Sequence, residues 1–136
     1  MYFSLGVFEH FEAGLGPSID EARRVLKKGG LLIISVPFHN LWHTFRKDAF
    51  KYSKDMRFYQ WRFTISELRA ELSSCGFDVL EIKPINKGHG ISRFIKNYFH
   101  INFHSKFHNL FKALLMPFFP RCFIAHSLIV AAAKRD

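Results

Sequence analysis

The sequence predicts an α/β fold built on a parallel sheet. Three observations carry this. Two helical segments each open on a Ser/Thr–x–x–Glu capping box, Ser18 with Glu21 and Thr64 with Glu67. Each then runs through glycine, Gly29-Gly30 or Gly76, into a β-prone stretch. Between them Leu31 to Val36 is a continuous β-prone run, the pattern of a strand buried on both faces of a parallel sheet.

In chain order, the apolar run Met1 to Phe8 predicts a buried strand with no lead-in. A polar loop over residues 9–17 follows. A helix then starts at the Ser18 cap, with Ile19, Ala22, Val25 and Leu26 at helical spacing. Lys27 and Lys28 suit its negative end, and Gly29-Gly30 stops it as an ordinary C-cap. The strand 31–36 is closed by Pro37. Residues 38–63 are irregular, aromatic and basic. A second helix carries Ile65, Leu68 and Leu72 to Gly76, and Phe77 to Ile82 is a strand closed by Pro84. Phe99, Phe103, Phe107, Leu110, Phe111 and Leu114 place one amphipathic helix over 91–116, and a last strand falls within 123–133.

The 136 residues carry a formal charge of +9 and are 49% hydrophobic, enough for a core and too apolar for a disordered tail. The charge is uneven. Residues 1–45 are neutral, whereas 91–136 hold seven basic residues and one acidic. The last third would therefore attract an anionic partner. Cys75 and Cys122 belong to no metal-ligand run and fit two reduced, buried thiols of a cytosolic protein. No signal peptide and no transmembrane run is visible; Lys112, Pro117, Pro120, Arg121 and His126 interrupt the nearest candidate.

Three segments, in order, resemble the C-terminal half of the class I S-adenosylmethionine (SAM)-dependent methyltransferases of the "methyltransferase type 11" kind. They are Ser4-Leu-Gly-Val-Phe-Glu-His-Phe11; the stretch from Glu21 through Lys27-Lys-Gly-Gly30 to Val36-Pro37; and Arg62-Phe-Thr-Ile-Ser-Glu-Leu68 with Cys75-Gly-Phe77. The resemblance implies a partial Rossmann-like sheet whose last strand is antiparallel, SAM as cofactor, and methyl transfer to a small-molecule or lipid- or glycan-linked acceptor in the cytoplasm or at a membrane surface. It divides the chain into a matching core (1–86), a basic Phe-rich helical insertion (87–121) and a final strand (122–136). The family's glycine-rich turn and the acidic residue that receives the ribose hydroxyls are not in this sequence. Gly88-His-Gly90 does not replace them, because it follows a late strand and lacks a third glycine. The expectation is a truncated chain that holds mainly the acceptor side.

In an open α/β sheet, ligands bind outside the carboxyl ends of the strands. By the resemblance Leu5, Gly6 and Val7 flank the cofactor. Glu9 and His10 lie beside the transferred methyl, with His10 as general base. His39, Asn40, Tyr59, Trp61 and Arg62 line the acceptor. Some relatives add a metal through a carboxylate three residues before the Glu-His pair. Gly6 stands there, so no metal is expected. His39 and His43 have helical metal spacing but no third ligand, and His100, His104 and His108 flank the Phe stripe as residues of an amphipathic helix. That basic helix has two expected uses. It packs on the sheet as an acceptor lid, or it lies on an anionic membrane near a lipid-linked acceptor, over about 91–118. Nucleic acid is disfavoured, because the Phe residues form a stripe rather than a stacking platform. The alternative to an enzyme is a non-catalytic remnant that uses this helix to bind a membrane or partner.

Overall fold

A computed structural model describes residues 1–45, 60–101 and 106–135, the side chain of Phe45 excepted. The elements are β1 (Tyr2–Leu5), a 3-10 turn (Phe8–His10), α1 (Gly16–Val25), β2 (Leu31–Pro37), α2 (Leu41–Phe45), α3 (Ile65–Ser74) and β3 (Phe77–Ile85). Then follow α4 (Lys87–Phe99), α5 (Lys106–Leu115), α6 (Arg121–Ile124) and β4 (Ser127–Lys134).

The sheet order is β1-β2-β4-β3. β1 and β2 are parallel, and β4 runs antiparallel to both β2 and β3. The expected antiparallel last strand is therefore present, wedged between two strands that share a direction. This places the carboxyl ends of β1, β2 and β3 and the start of β4 along one edge: Pro37 and Ile85 both pair with Ser127. The Gly29-Gly30 turn sits at the opposite edge. Gly29 donates to the Lys134 carbonyl, and the Lys134 ammonium caps the end of α1 through the carbonyls of Arg23 and Leu26.

The main core lies on one face. Leu32, Ile34 and Val36 alternate inward and meet Ala132, Val130 and Leu128 across the ladder, packed with Ile19 and Ala22 of α1 and Leu68 and Leu72 of α3. A smaller core joins Ile91 and Ile95 of α4 to Ile124 of α6, bordered by Phe94, Phe111, Phe119 and Phe123.

Several expectations are corrected. β1 ends at Leu5 because Gly6 turns the chain at φ +67°, a conformation costly for any side chain, while its N–H still reaches the Ser35 carbonyl. α1 begins at Gly16, two residues before Ser18. Pro17 fits its first turn, where the missing N–H has no intrahelical partner, and Ile19 donates to the Leu15 carbonyl. The capping box at Thr64 forms in full. β2 is buried on one face only: Leu31, Ile33 and Ser35 remain half-buried, because no described element closes the other face. The single helix over 91–116 is two helices. His100 takes a left-handed conformation (φ 53°) and ends α4. The Phe stripe is divided accordingly: Phe111 faces the small core, Phe107, Leu110 and Leu114 are exposed, and Phe103 lies outside the described residues. The histidine row dissolves with it, His100 at the joint, His108 buried on α5 and His104 outside the described residues. The last strand starts at Ser127, because α6 takes the residues after Pro120. Cys122 is exposed, not buried.

Candidate functional site

Chain segments from all four strands meet at the carboxyl edge, and backbone hydrogen bonds lock them together. Phe38 N–H donates to the His126 carbonyl (2.9 Å), His39 N–H to Phe63 (2.8 Å) and Phe63 N–H to Pro37 (3.0 Å). The segment before α3 thus extends the sheet by a short parallel bridge, Phe38 with Phe63. Its Trp61 then straps the loop after β1: the backbone N–H donates to the Glu9 carbonyl (2.8 Å) and the indole Nε1 to the Phe11 carbonyl (3.0 Å).

Glu9 and His10 differ in what they present. His10 is exposed on the 3-10 turn. Glu9 is only 4% exposed, and its Oε2 has no hydrogen-bond partner among the described residues. Burial pushes its carboxyl above the ordinary value, against lowering by a backbone hydrogen bond and by His10. An unpartnered buried carboxylate oxygen is costly and marks a candidate functional group. Of the residues assigned to the cofactor, Val7 lines an open apolar trough of about 390 Å³ along β1, with Tyr2, Phe3, Phe8 and Phe11. Leu5 is half-exposed beside the Gly6 turn.

Asn40 is a bolt. It is buried, its Nδ2 donates to the Ala125 carbonyl (2.8 Å), and its Oδ1 accepts from the His43 N–H (3.0 Å), starting α2 as an N-cap does. The same oxygen lies 2.7 Å from His43 Nδ1. An amide oxygen only accepts, so that ring nitrogen carries the proton and Nε2 of the neutral ring carries the lone pair. His43 faces a pocket of about 140 Å³, walled by Asn40, Trp42, Arg62, Gly90, Arg93, Phe94, Asn97, Ile124 and His126. Trp42 meets Phe94 edge-on at 5.3 Å.

Of the expected acceptor residues, Asn40 and Arg62 reach this pocket. His39 sits behind it, its ring 5.7 Å from that of His43. Trp61 packs on the main core instead, and Tyr59 lies outside the described residues. Sequence reasoning missed Arg93, Asn97 and His126. A signal existed for two of them: Gly90, Arg93 and Asn97 are spaced i, i+3, i+7, one face of α4, opposite buried Ile91 and Ile95.

Among the described residues His126 is shifted far from its ordinary value. Burial first, then the charges of Arg93, His89 and Arg62, hold its pKa down at about 4. His89, whose ring is 4.7 Å away, is lowered too, by burial and by Arg93 and Lys112. In the unfolded chain a histidine protonates near 6.5. Between these values the unfolded state binds more protons, so stability present above 6.5 is lost as the pH falls toward 4. Thermal melts are expected to show a lower Tm at about pH 5 than at about pH 7.5, and His126→Gln should remove much of the difference. An unchanged difference in that variant would exclude His126 as the source.

No family model and no curated protein sequence matches the chain. Solved structures do. The methyltransferase bound to the Haloferax volcanii Trm112 activator superposes with a TM-score of 0.57 at 16% identity, covering 98% of this chain and 53% of that one. Phosphoethanolamine N-methyltransferase 2 of Haemonchus contortus, solved with S-adenosyl-L-methionine, gives 0.54 at 17%, covering 98% and 33%. The cyclopropane synthase MmaA2 of Mycobacterium tuberculosis gives 0.53 at 13%, covering 97% and 54%. The fold is that of the class I SAM-dependent methyltransferases, and the chain spans between a third and just over half of these three structures.

Proposed function

We propose that this chain forms the acceptor side of a SAM-dependent methyltransferase acting on a small-molecule or lipid- or glycan-linked acceptor. The observation that carries the reading is the strap at Trp61. It holds the Glu9-His10 loop against the segment whose next residue, Arg62, enters the pocket. An acceptor seated in that pocket is one residue from the strap that holds His10.

The described residues do not make a whole cofactor site. Toward SAM they offer an apolar wall at Val7 and the Gly6 turn, while the carboxylate closest in sequence, Glu9, is turned inward and cannot receive ribose hydroxyls as placed. The protein's own work is then on the acceptor. His10 takes the proton from its nucleophile, the Trp61 strap fixes the loop that carries His10, and Trp42 and Phe94 keep water from the pocket wall.

Calorimetric titration of SAM into the 136-residue chain is expected to give no saturable heat. Tight binding would overturn the reading that the rest of the cofactor site lies elsewhere. DNA in frame upstream of the Met1 codon, or in a neighbouring gene, is expected to encode a glycine-rich turn followed by a carboxylate. If neither does, the enzyme reading fails.

A second reading, peripheral membrane contact, is favoured by one observation. Phe107, Leu110 and Leu114 form an exposed i, i+3, i+7 ridge on α5, continued by exposed Phe118. No carboxylate occurs from residue 82 to 135. Apolar side chains flanked by Lys106 and Arg121 suit an anionic lipid surface. No helix among the described residues is long and apolar enough to cross a membrane. Flotation with anionic vesicles should carry the chain upward, and Phe107→Glu should abolish this; equal flotation of the two removes the membrane reading.

A further inference from the structure

The pocket beside Asn40 gathers polar groups from three directions, two of them cationic. Arg62 enters from the segment before α3 and Arg93 from α4, while His126, a neutral ring near pH 7, enters from the approach to β4. His89 stands against His126, and Lys112 of α5 comes close to Gly88 at the start of α4. No carboxylate is among the described residues that line the pocket. Converging like charges repel one another, and more strongly where water is partly excluded. Burial first, then the neighbouring charges of Arg93, His89 and Arg62, hold the pKa of His126 down. The pocket also holds groups that hydrogen-bond oxyanions. Two guanidinium groups offer planar forks that match phosphate oxygens, and the Asn97 amide lies one turn beyond Arg93 on the same helix face. At about 140 Å³ it has room for a few waters or a single tetrahedral oxyanion.

We propose that this pocket binds a phosphate group, with Arg93 and Arg62 on its oxygens and Asn97 as a further donor. Taken with the acceptor-side reading above, on which this step rests, the acceptor is phosphorylated, and the phosphate anchors it beside His43 and the strap that leads to His10. The binding itself does not require that reading.

The test uses the whole 136-residue chain and inorganic phosphate, followed by NMR of the histidine ring protons. Phosphate is expected to shift the His126 and His89 signals saturably and to raise the pKa of His126, because an anion offsets the field of Arg93 and Arg62. Arg93→Gln should weaken binding by about tenfold or more. Arg93→Lys, which keeps the charge and loses the fork, should restore part of it. Arg93 is exposed, so neither variant threatens folding. Vesicles containing phosphatidate give the second arm. An Arg93-dependent gain over phosphatidylcholine vesicles assigns the phosphate to a lipid headgroup, whereas Arg93 dependence with inorganic phosphate alone assigns it to a soluble acceptor; either supports the site. Three results overturn it: no saturable shift in either arm, an equal shift from chloride at matched ionic strength, or tighter binding of acetate than of phosphate. Phosphate binding in a protein that never transfers methyl would leave the site standing and remove the enzyme reading. Methyl transfer indifferent to Arg93→Gln, with phosphate binding lost in the same variant, would leave the site standing and detach it from the acceptor.

Discussion

Gly90→Ala is expected to destabilise the protein by about 2 kcal/mol or more, lowering Tm by roughly 10 °C. On helix propensity alone the change should help by about 1 kcal/mol, since glycine is the poorer residue inside a helix. Packing reverses the sign. A Cβ at Gly90 would fall far inside the van der Waals radius of the Ile124 carbonyl oxygen, which is backbone and cannot rotate away. Helix α4 must then part from α6, opening the small core at Ile91, Ile95 and Ile124. Gly88→Ala is the internal control. Its Cβ would meet the Cε of Lys112 at 3.1 Å, the far end of a flexible side chain, so the propensity gain should survive. Chemical denaturation of the two variants side by side decides it: equal effects would mean that α4 does not press on α6 as described.

The second large effect is expected at Asn40. Truncation to alanine removes the cap on α2 and leaves the Ala125 carbonyl without its side-chain donor, at a cost of about 2–3 kcal/mol. Asn40→Asp is the sharper variant. It preserves the acceptor that serves His43 N–H but sets a second oxygen against the Ala125 carbonyl, 2.8 Å from the present nitrogen. It should therefore be at least as damaging as alanine despite its near-identical shape. An aspartate variant as stable as the wild type would mean that the amide is not the bolt between α2 and the approach to β4.

These two positions show what could be read from sequence and what could not. The place of Asn40 at the carboxyl edge was legible because it follows a strand that ends in Pro37, and strand ends are where such sheets bind ligands. Its role differs from direct lining alone, because both ends of its amide are used internally. The capping box at Thr64 and the two glycine turns were legible because each rests on residues a few positions apart, whereas the antiparallel last strand came only from the resemblance. The division of α4 from α5 was not, since His100 is neither glycine nor proline and nothing local announces its left-handed backbone. The pocket was the least legible. Arg62, Arg93 and His126 lie far apart in the chain, and only the return of β4 between β2 and β3 makes them neighbours.

That return has a consequence for how the protein is made. β2 and β3 do not pair with each other; β3 is joined to the β1-β2 pair only through β4, which comes after both of them. While residues 31–85 have left the ribosome and 127–134 have not, β3 has no neighbour to pair with, and the apolar face that it shares with α3 stays open. The sheet closes as a late event that joins distant parts of the chain, the kind of step that folds slowly and exposes unpaired strand edges on the way. Emerging chains should therefore need shielding until these eight residues arrive.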